Sequence, residues 1–310
     1  VLIAGAEGVC REDGTLLAPE PGLLWLAWRA PYLYGISGRV SVWRDDGTRV
    51  ATWAFDGVEG CHIAVGADAV FVAGYGSGTV HRYEFDGTAT SAQLSGSGPD
   101  AERQEAAHPH HVLVEGDTVL VTDLGSDALI TLDAVTLAER GRVGLPPGSG
   151  PRYSLRLDAR TIAVTGELDA TVMRVRDGVA RAVRVPDLRS GAEPPESSRR
   201  HPRDSAPVEA GDEVAVARIR DPVRAYPSDL VLHRGELVVA VRGSGLLARF
   251  DPATLELLGT EPSGGPWPQA LAVENGLLYC ANRDTDTVTV SDGRVIRIHR
   301  PTALIRTGTP

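Results

Sequence analysis

One module recurs five times along the chain and limits what it can fold into. Each copy is an alternating apolar strand, a Gly/Asp turn, a second apolar strand and a small polar cluster. The copies read HIAVGADAVFVAGYGSG from His62, HVLVEGDTVLVTDLGSD from His111, YSLRLDARTIAVTGELD from Tyr153, DLVLHRGELVVAVRGSG from Asp229 and ALAVENGLLYCANRDTD from Ala270. Period-2 alternation rich in Val, Ile, Leu and Thr predicts strands, and no long 3.6-residue run competes with it. Recurrence every 40 to 50 residues or so predicts an all-β propeller with one four-stranded sheet per repeat.

A weaker copy, LLWLAWRAPYLYGISGRVSVWRDDGT from Leu23, adds a sixth blade. The remaining strand-like pieces are VLIAG and GTLLA at the start, with VIRIHR and TALIRTG at the finish. They predict a seventh blade built from both termini, so that 1–310 is a single domain. Closing the ring removes the sheet edges that would otherwise template aggregation. Residues 187–211, crowded with Pro, Ser and charge, interrupt the rhythm. They predict a flexible insertion in the fifth blade, ahead of a strand at VAVARIR. The basic run SRRHPR inside it reads as a solvated loop.

The 310 residues are 42% hydrophobic, enough for a large core, and the formal net charge is −10. That charge argues against non-specific nucleic-acid binding. Three cysteines far apart predict no disulfides, and Cys280, inside the apolar run LLYCA, reads as a buried thiol. There is neither an 18-residue apolar stretch nor a basic leader, which predicts a cytoplasmic monomer that does not engage membranes.

In each module the first strand runs one way and the second returns antiparallel. The start of the first and the end of the second therefore share one mouth of the propeller. The polar residues at those places stand thirteen or fourteen apart: His62 with Tyr75, His110 with Asp123, Tyr153 with Glu167, Asp229 with Arg242, and Ala270 with Arg283. Arg152 and Gln269 precede two of the first strands. Such a ring of guanidinium, carboxylate and imidazole groups suits a small anionic substrate. Arginine grips phosphate or carboxylate with two hydrogen bonds, and a carboxylate or imidazole moves protons at neutral pH. Single Asp–Arg pairs in such a ring also serve to tie blades together.

Asp127, Asp169 and Asp286 read as acceptors of backbone hydrogen bonds in turns. His108, His110 and His111 lack a neighbouring Cys or acid at metal-ligand spacing, so no metal is expected. The tryptophans read as blade packing, with Trp267 between two prolines a candidate lining of the mouth. No Gly-x-Ser-x-Gly elbow and no phosphate-cradling loop is present. An enzyme with this sequence is expected to use activated water, and the alternative is a non-catalytic propeller that binds a ligand or serves as a scaffold.

The stretches RQEAAHPHHV, VTDLGSD, PPGSGPRY, TGELD, VRGSG, GGPWPQ and ANRDTD follow one another in an order that resembles the seven-bladed lactonase family. That family includes 6-phosphogluconolactonase of the propeller type and the fungal carboxymuconate-lactonising enzymes. The resemblance implies hydrolysis, or reversible formation, of a lactone, with no metal or organic cofactor. It implies catalytic roles for His110 (with His108), Arg152, Glu167 and Arg242. The ring of strand ends adds candidate substrate contacts at His62, Tyr75, His108, Asp123, Tyr153, Asp229, Gln269 and Arg283. The expected division of labour has Arg242, Arg283 and Arg152 holding the anionic group while Glu167 or His110 activates water. The chain departs from the family pattern at Tyr153, where His is usual, at Gly166, where Asn is usual, and at Gln269 and Arg283. The last two read as an exchange of Gln and Arg between neighbouring strand ends, with Arg283 supplying the cation that position 269 lacks.

Overall fold

Seven four-stranded antiparallel sheets make a closed ring in a computed structural model that describes residues 1–185 and 225–307. Blade 1 spans 25–54, blade 2 60–93, blade 3 109–144, blade 4 151–184, blade 5 226–262 and blade 6 268–297. In each, the four strands lie side by side in chain order. The first strand of every blade packs against the first strands of its two neighbours, so these strands wall a central channel. The second strands are buried almost throughout, as at Ala69–Gly74 and Thr161–Gly166. The fourth strands, such as Glu139–Gly144, face water.

Blade 7 closes the ring. Its inner strand is Ala303–Ile305, and its three outer strands, Leu2–Gly5, Gly8–Cys10 and Leu16–Pro19, come from the other end of the chain. Here the structure corrects one detail. Val295–Arg297, within VIRIHR, is the outer strand of blade 6, and blade 7 takes Gly8–Cys10 in its place. With only Gly8, Val9 and Cys10, that strand is too short to show a recognisable alternation. The proposed insertion at 187–211 and the strand at VAVARIR lie outside the described residues.

The core forms between blades, where Trp43, Tyr83, Phe250, Ile36 and Leu124 are almost fully excluded from water. Each such side chain contributes roughly 1.5–3 kcal/mol by burial. The outer hairpins are pinned locally. In blades 1 and 2 an Asp-Gly-Thr turn places the carboxylates of Asp46 and Asp86 on the backbone N–H of Thr48 and Thr88, at 2.8 Å in both cases. Asp127 and Asp286 accept backbone N–H groups as expected, but from loops of the following blade rather than from their own turns. Asp127 takes Gly148 and Gly150 at 2.7 and 2.8 Å, and Asp286 takes Arg300 at 2.8 Å. They tie blades together.

Candidate active site

The antiparallel register brings the chemistry to one end of the channel. Gly60 pairs with Gly74, Pro109 with Asp123, Pro151 with Gly166, Tyr226 with Arg242 and Pro268 with Asn282. At that end every one of these inner strands carries a β-bulge. The residues inside the bulges are Cys61, His110, Arg152 with Tyr153, Ser228 with Asp229, and Gln269. A bulge leaves its residue unpaired in the ladder and re-aims the side chain. Each blade thereby places one or two residues at the mouth without disturbing its sheet.

Glu167 is the centre of the arrangement. It follows the second strand of blade 4, and its backbone N–H donates to Gly150 O at 2.9 Å. Two glycines make this possible. Gly150 has φ +56°, and a Cβ there would meet Leu168 Cγ at 2.3 Å. At Gly166, where the family pattern has Asn, a Cβ would meet Thr171 Oγ1 at 2.3 Å and Asp169 Oδ1 at 2.7 Å, so glycine fits the packing of this chain. Three arginines converge on the Glu167 carboxylate. Arg152 Nε lies 2.9 Å from Oε2, Arg242 Nη2 donates to the same oxygen, and Arg103 Nη2 donates to Oε1 at 3.0 Å. Arg152 is held from behind by a 2.8 Å hydrogen bond from Nη1 to Ser228 O.

The cluster carries two positive charges in excess of its one carboxylate, in a water-poor setting. Burial alone would raise the Glu167 pKa, but Arg242, Arg152, His110 and Arg103 outweigh it and hold the carboxyl far below its usual range. Burial, then Arg242, pulls Arg152 down to about 10. Burial and the Arg152 charge keep His110 well below the usual imidazole value, so it is neutral at pH 7. Glu167 is therefore a fixed anion, whereas His110, a weaker base than a free imidazole, is neutral at pH 7 and can take a proton.

Next to the charged ring, the rings of His62, His111, Tyr153 and Trp25 pack together in tilted and edge-on contacts. Centroids are 4.2 Å apart for His62–His111, 3.9 Å for His111–Tyr153 and 4.8 Å for Trp25–His62. Burial lowers both imidazoles, His111 to about 3, and raises the Tyr153 phenol. This neutral cluster excludes water beside the arginines and so strengthens their field.

The remaining expected residues divide into two groups. Tyr75 and His108 join the mouth: their rings stack at 4.6 Å, and Tyr75 meets His110 edge-on at 5.7 Å. His108 is fixed by Tyr75 O at 2.8 Å and Glu105 Oε1 at 3.0 Å. Arg242 and Arg283 both pack on the ring of Trp267, at 5.3 and 5.2 Å, so Arg283 lies beside the cluster while its Nε donates to Asp284. Gln269 Oε1 and Trp267 Nε1 are buried with no partner among the described residues.

Asp123 and Asp229, by contrast, were expected to contact substrate, and the structure gives both to the protein. Asp123 accepts the backbone N–H of His108 at 2.6 Å and of Gly125 at 3.2 Å, and the hydroxyl of Ser126. Asp229 accepts from Leu230 at 2.7 Å and from Leu271 at 2.8 Å, and burial raises its pKa to about 7. With both oxygens of each engaged, these carboxylates brace the rim. The reason is position: incoming loops and strands present unpaired backbone donors at those strand ends.

Two residues escaped sequence reasoning. Cys61 occupies the blade 2 bulge, where burial raises its thiol to about 12. Arg103 lies outside every repeat, in the connection 94–108. That connection is anchored by fully buried Gln104, whose Nε2 donates to Leu124 O at 2.8 Å. Its length was the available signal, since 145–150 suffices between the next two blades. Among the described residues no group of three His, Cys, Asp or Glu is arranged to hold a metal ion.

Comparison with known proteins agrees with this architecture. A fungal protein of Arthroderma benhamiae named "Probable 6-phosphogluconolactonase" is 35% identical over 120 residues, spanning 33% of this chain and 30% of that protein's length. The solved structure of a Lactobacillus plantarum protein superposes with a TM-score of 0.76 at 19% identity, covering 97% of both chains. The periplasmic gluconolactonase of Pseudomonas aeruginosa superposes with a TM-score of 0.72 at 20% identity, covering 100% of this chain and 99% of that one. The family described as "Lactonase, 7-bladed beta-propeller" matches residues 25–294, and the chain belongs to that family.

Proposed function

We propose that this protein hydrolyses a small anionic sugar lactone, with 6-phosphogluconolactone the first candidate, by activating water at the mouth of the propeller. The observation that carries the reading is the cluster of Arg103, Arg152 and Arg242 around Glu167, with neutral His110 beside it. In this reading Glu167 orders the guanidiniums and His110 takes a proton from water as it attacks the lactone carbonyl. The surplus positive charge receives the substrate's anionic group and the oxyanion that develops. Each preorganised donor of that kind is worth on the order of 2.7–4 kcal/mol. The fungal relative's name and the periplasmic gluconolactonase support a sugar-derived substrate. So do the unpartnered Gln269 Oε1 and Trp267 Nε1, an acceptor and a donor suited to a hydroxyl. A muconate-type lactone has no hydroxyl to offer them.

The test is direct. Acid release from 6-phosphogluconolactone is followed at constant pH for the purified protein and for Arg152→Ala and Glu167→Ala. Turnover above the spontaneous rate, lost in both variants, is expected. A wild-type rate equal to the spontaneous one ends the proposal for that substrate.

A further inference from the structure

We infer that Tyr75 is the general acid that protonates the departing ring oxygen, an inference that rests on the lactonase reading above. The Tyr75 hydroxyl accepts two N–H groups of Arg103, Nε at 3.3 Å and Nη2 at 3.2 Å. With its lone pairs occupied, the phenol has only its hydrogen left to give, and no described residue accepts it. The ring cannot swing away. His108 stacks on one face, His110 abuts its edge, and the Tyr75 backbone N–H is tied to Glu59 O at 3.0 Å. Burial, with the Glu167 charge, outweighs the pull of Arg103 and raises the Tyr75 pKa, which keeps the proton in place until it is needed.

The geometry fits the chemistry of ester cleavage. The attacking water and the departing ring oxygen sit on the same carbon, so base and acid must stand close together on either side of it. The rings of His110 and Tyr75 are 5.7 Å apart at their centroids, within reach of one lactone. Water oxygen bonds to the carbonyl carbon as His110 takes one of its protons. The tetrahedral intermediate then collapses, the carbon–ring-oxygen bond breaks with its electron pair going to oxygen, and that oxygen takes the Tyr75 proton. The phenolate that remains faces the Arg103 guanidinium. The His110 proton returns to it, and the sum is lactone plus water giving hydroxy acid. An alkoxide is more basic than a phenolate, so the transfer runs downhill.

Tyr75→Phe in the full chain tests this, because Phe keeps the ring stacking. Two substrates are compared: a sugar δ-lactone, whose leaving group is an alkoxide, and dihydrocoumarin, whose phenoxide leaves without protonation. The expected result is a fall in kcat on the order of 10²–10⁴-fold for the sugar lactone, with KM little changed, and a change of no more than a few-fold for dihydrocoumarin. Equal losses on both would make Tyr75 a positioning residue for Arg103 and overturn the inference. Unchanged rates on both would overturn it too, with the lactonase reading intact. A wild type that hydrolyses neither lactone would overturn that reading and this inference together.

Discussion

Two buried carboxylates in this molecule are held by arginines, and they behave differently. Glu20 joins blade 7 to blade 1 at the outer rim. It accepts Ser37 Oγ at 2.8 Å, Ser41 Oγ at 3.1 Å, Arg39 Nε at 3.0 Å and Arg49 Nη2 at 2.6 Å. Its pKa is lowered as well, by Arg39, Ser37, Arg49 and Ser41 acting against burial. Yet the Arg39 and Arg49 side chains are 48% and 33% exposed, whereas Arg152 and Arg242 at Glu167 are 3% and 9% exposed. Water screens the surplus charge at Glu20, and two hydroxyls share the carboxylate. At Glu167 two of the three arginines are dry, and only Arg103, 40% exposed, meets solvent. An arginine-bound carboxylate marks a site only where the arginines themselves are dry.

The largest effect that divides the two is substitution of the acid. Glu167→Gln is expected to lower kcat/KM by about 10²–10³-fold. Stability should fall by around 3–5 kcal/mol as buried guanidiniums lose their partner. Glu20→Gln is expected to lower the melting temperature while kcat/KM of the folded protein stays within a few-fold. Equal catalytic loss in both, by steady-state kinetics and thermal denaturation, would erase the distinction. Next comes Arg152→Lys, which removes a planar fork that an ammonium does not replace; a loss in kcat/KM of about 10²-fold is expected. Arg49→Lys at the rim should change stability by less than about 1 kcal/mol.

The third effect is read from pH. His110 is held below its usual pKa, so its neutral, proton-accepting form persists as pH falls through 6.5. The rate is expected to stay level from pH 8 to below 6.5 and to drop tenfold per unit only once the imidazole is protonated. An acid limb centred at or above 6.5 would remove His110 as the base. The smallest effect belongs to Gln269→Met. Removing the orphaned amide should cost about 1 kcal/mol in kcat/KM for a hydroxylated lactone and nothing for its deoxy analogue. Equal change on both would show that the amide does not read a hydroxyl.

How much of this was legible in the chain follows from locality. Strand alternation and the thirteen-residue return are local, so the blades and the pairing of His110, Arg152, Glu167 and Arg242 at one mouth could be read directly. The bulges were also written there, as Pro109-His110, Pro151-Arg152, Pro227-Ser228 and Pro268-Gln269, a recurrence that went unused. Proline cannot donate to the ladder and stands where pairing begins and breaks. Arg103 opens the stretch RQEAAHPHHV, but its role was not legible, because it reaches Glu167 from a connection with no periodicity. Asp123 and Asp229 misled, because an acid at a strand end looks the same whether it faces a ligand or caps a backbone N–H. The three-residue strand Gly8–Cys10 carried too little pattern to be recognised.

The ring closes where Leu2, Ile3 and Ala4 pair with Ile305, Leu304 and Ala303. That splice joins segments from opposite ends of the described chain, and only three residue pairs hold it. A pull on the two ends would shear this sheet ahead of any sheet made by one continuous run. Closure of the channel thus depends on one short, non-contiguous strand pair. Tension or local fraying there would spread the inner strands apart and loosen the grip on substrate before any other blade had lost its fold.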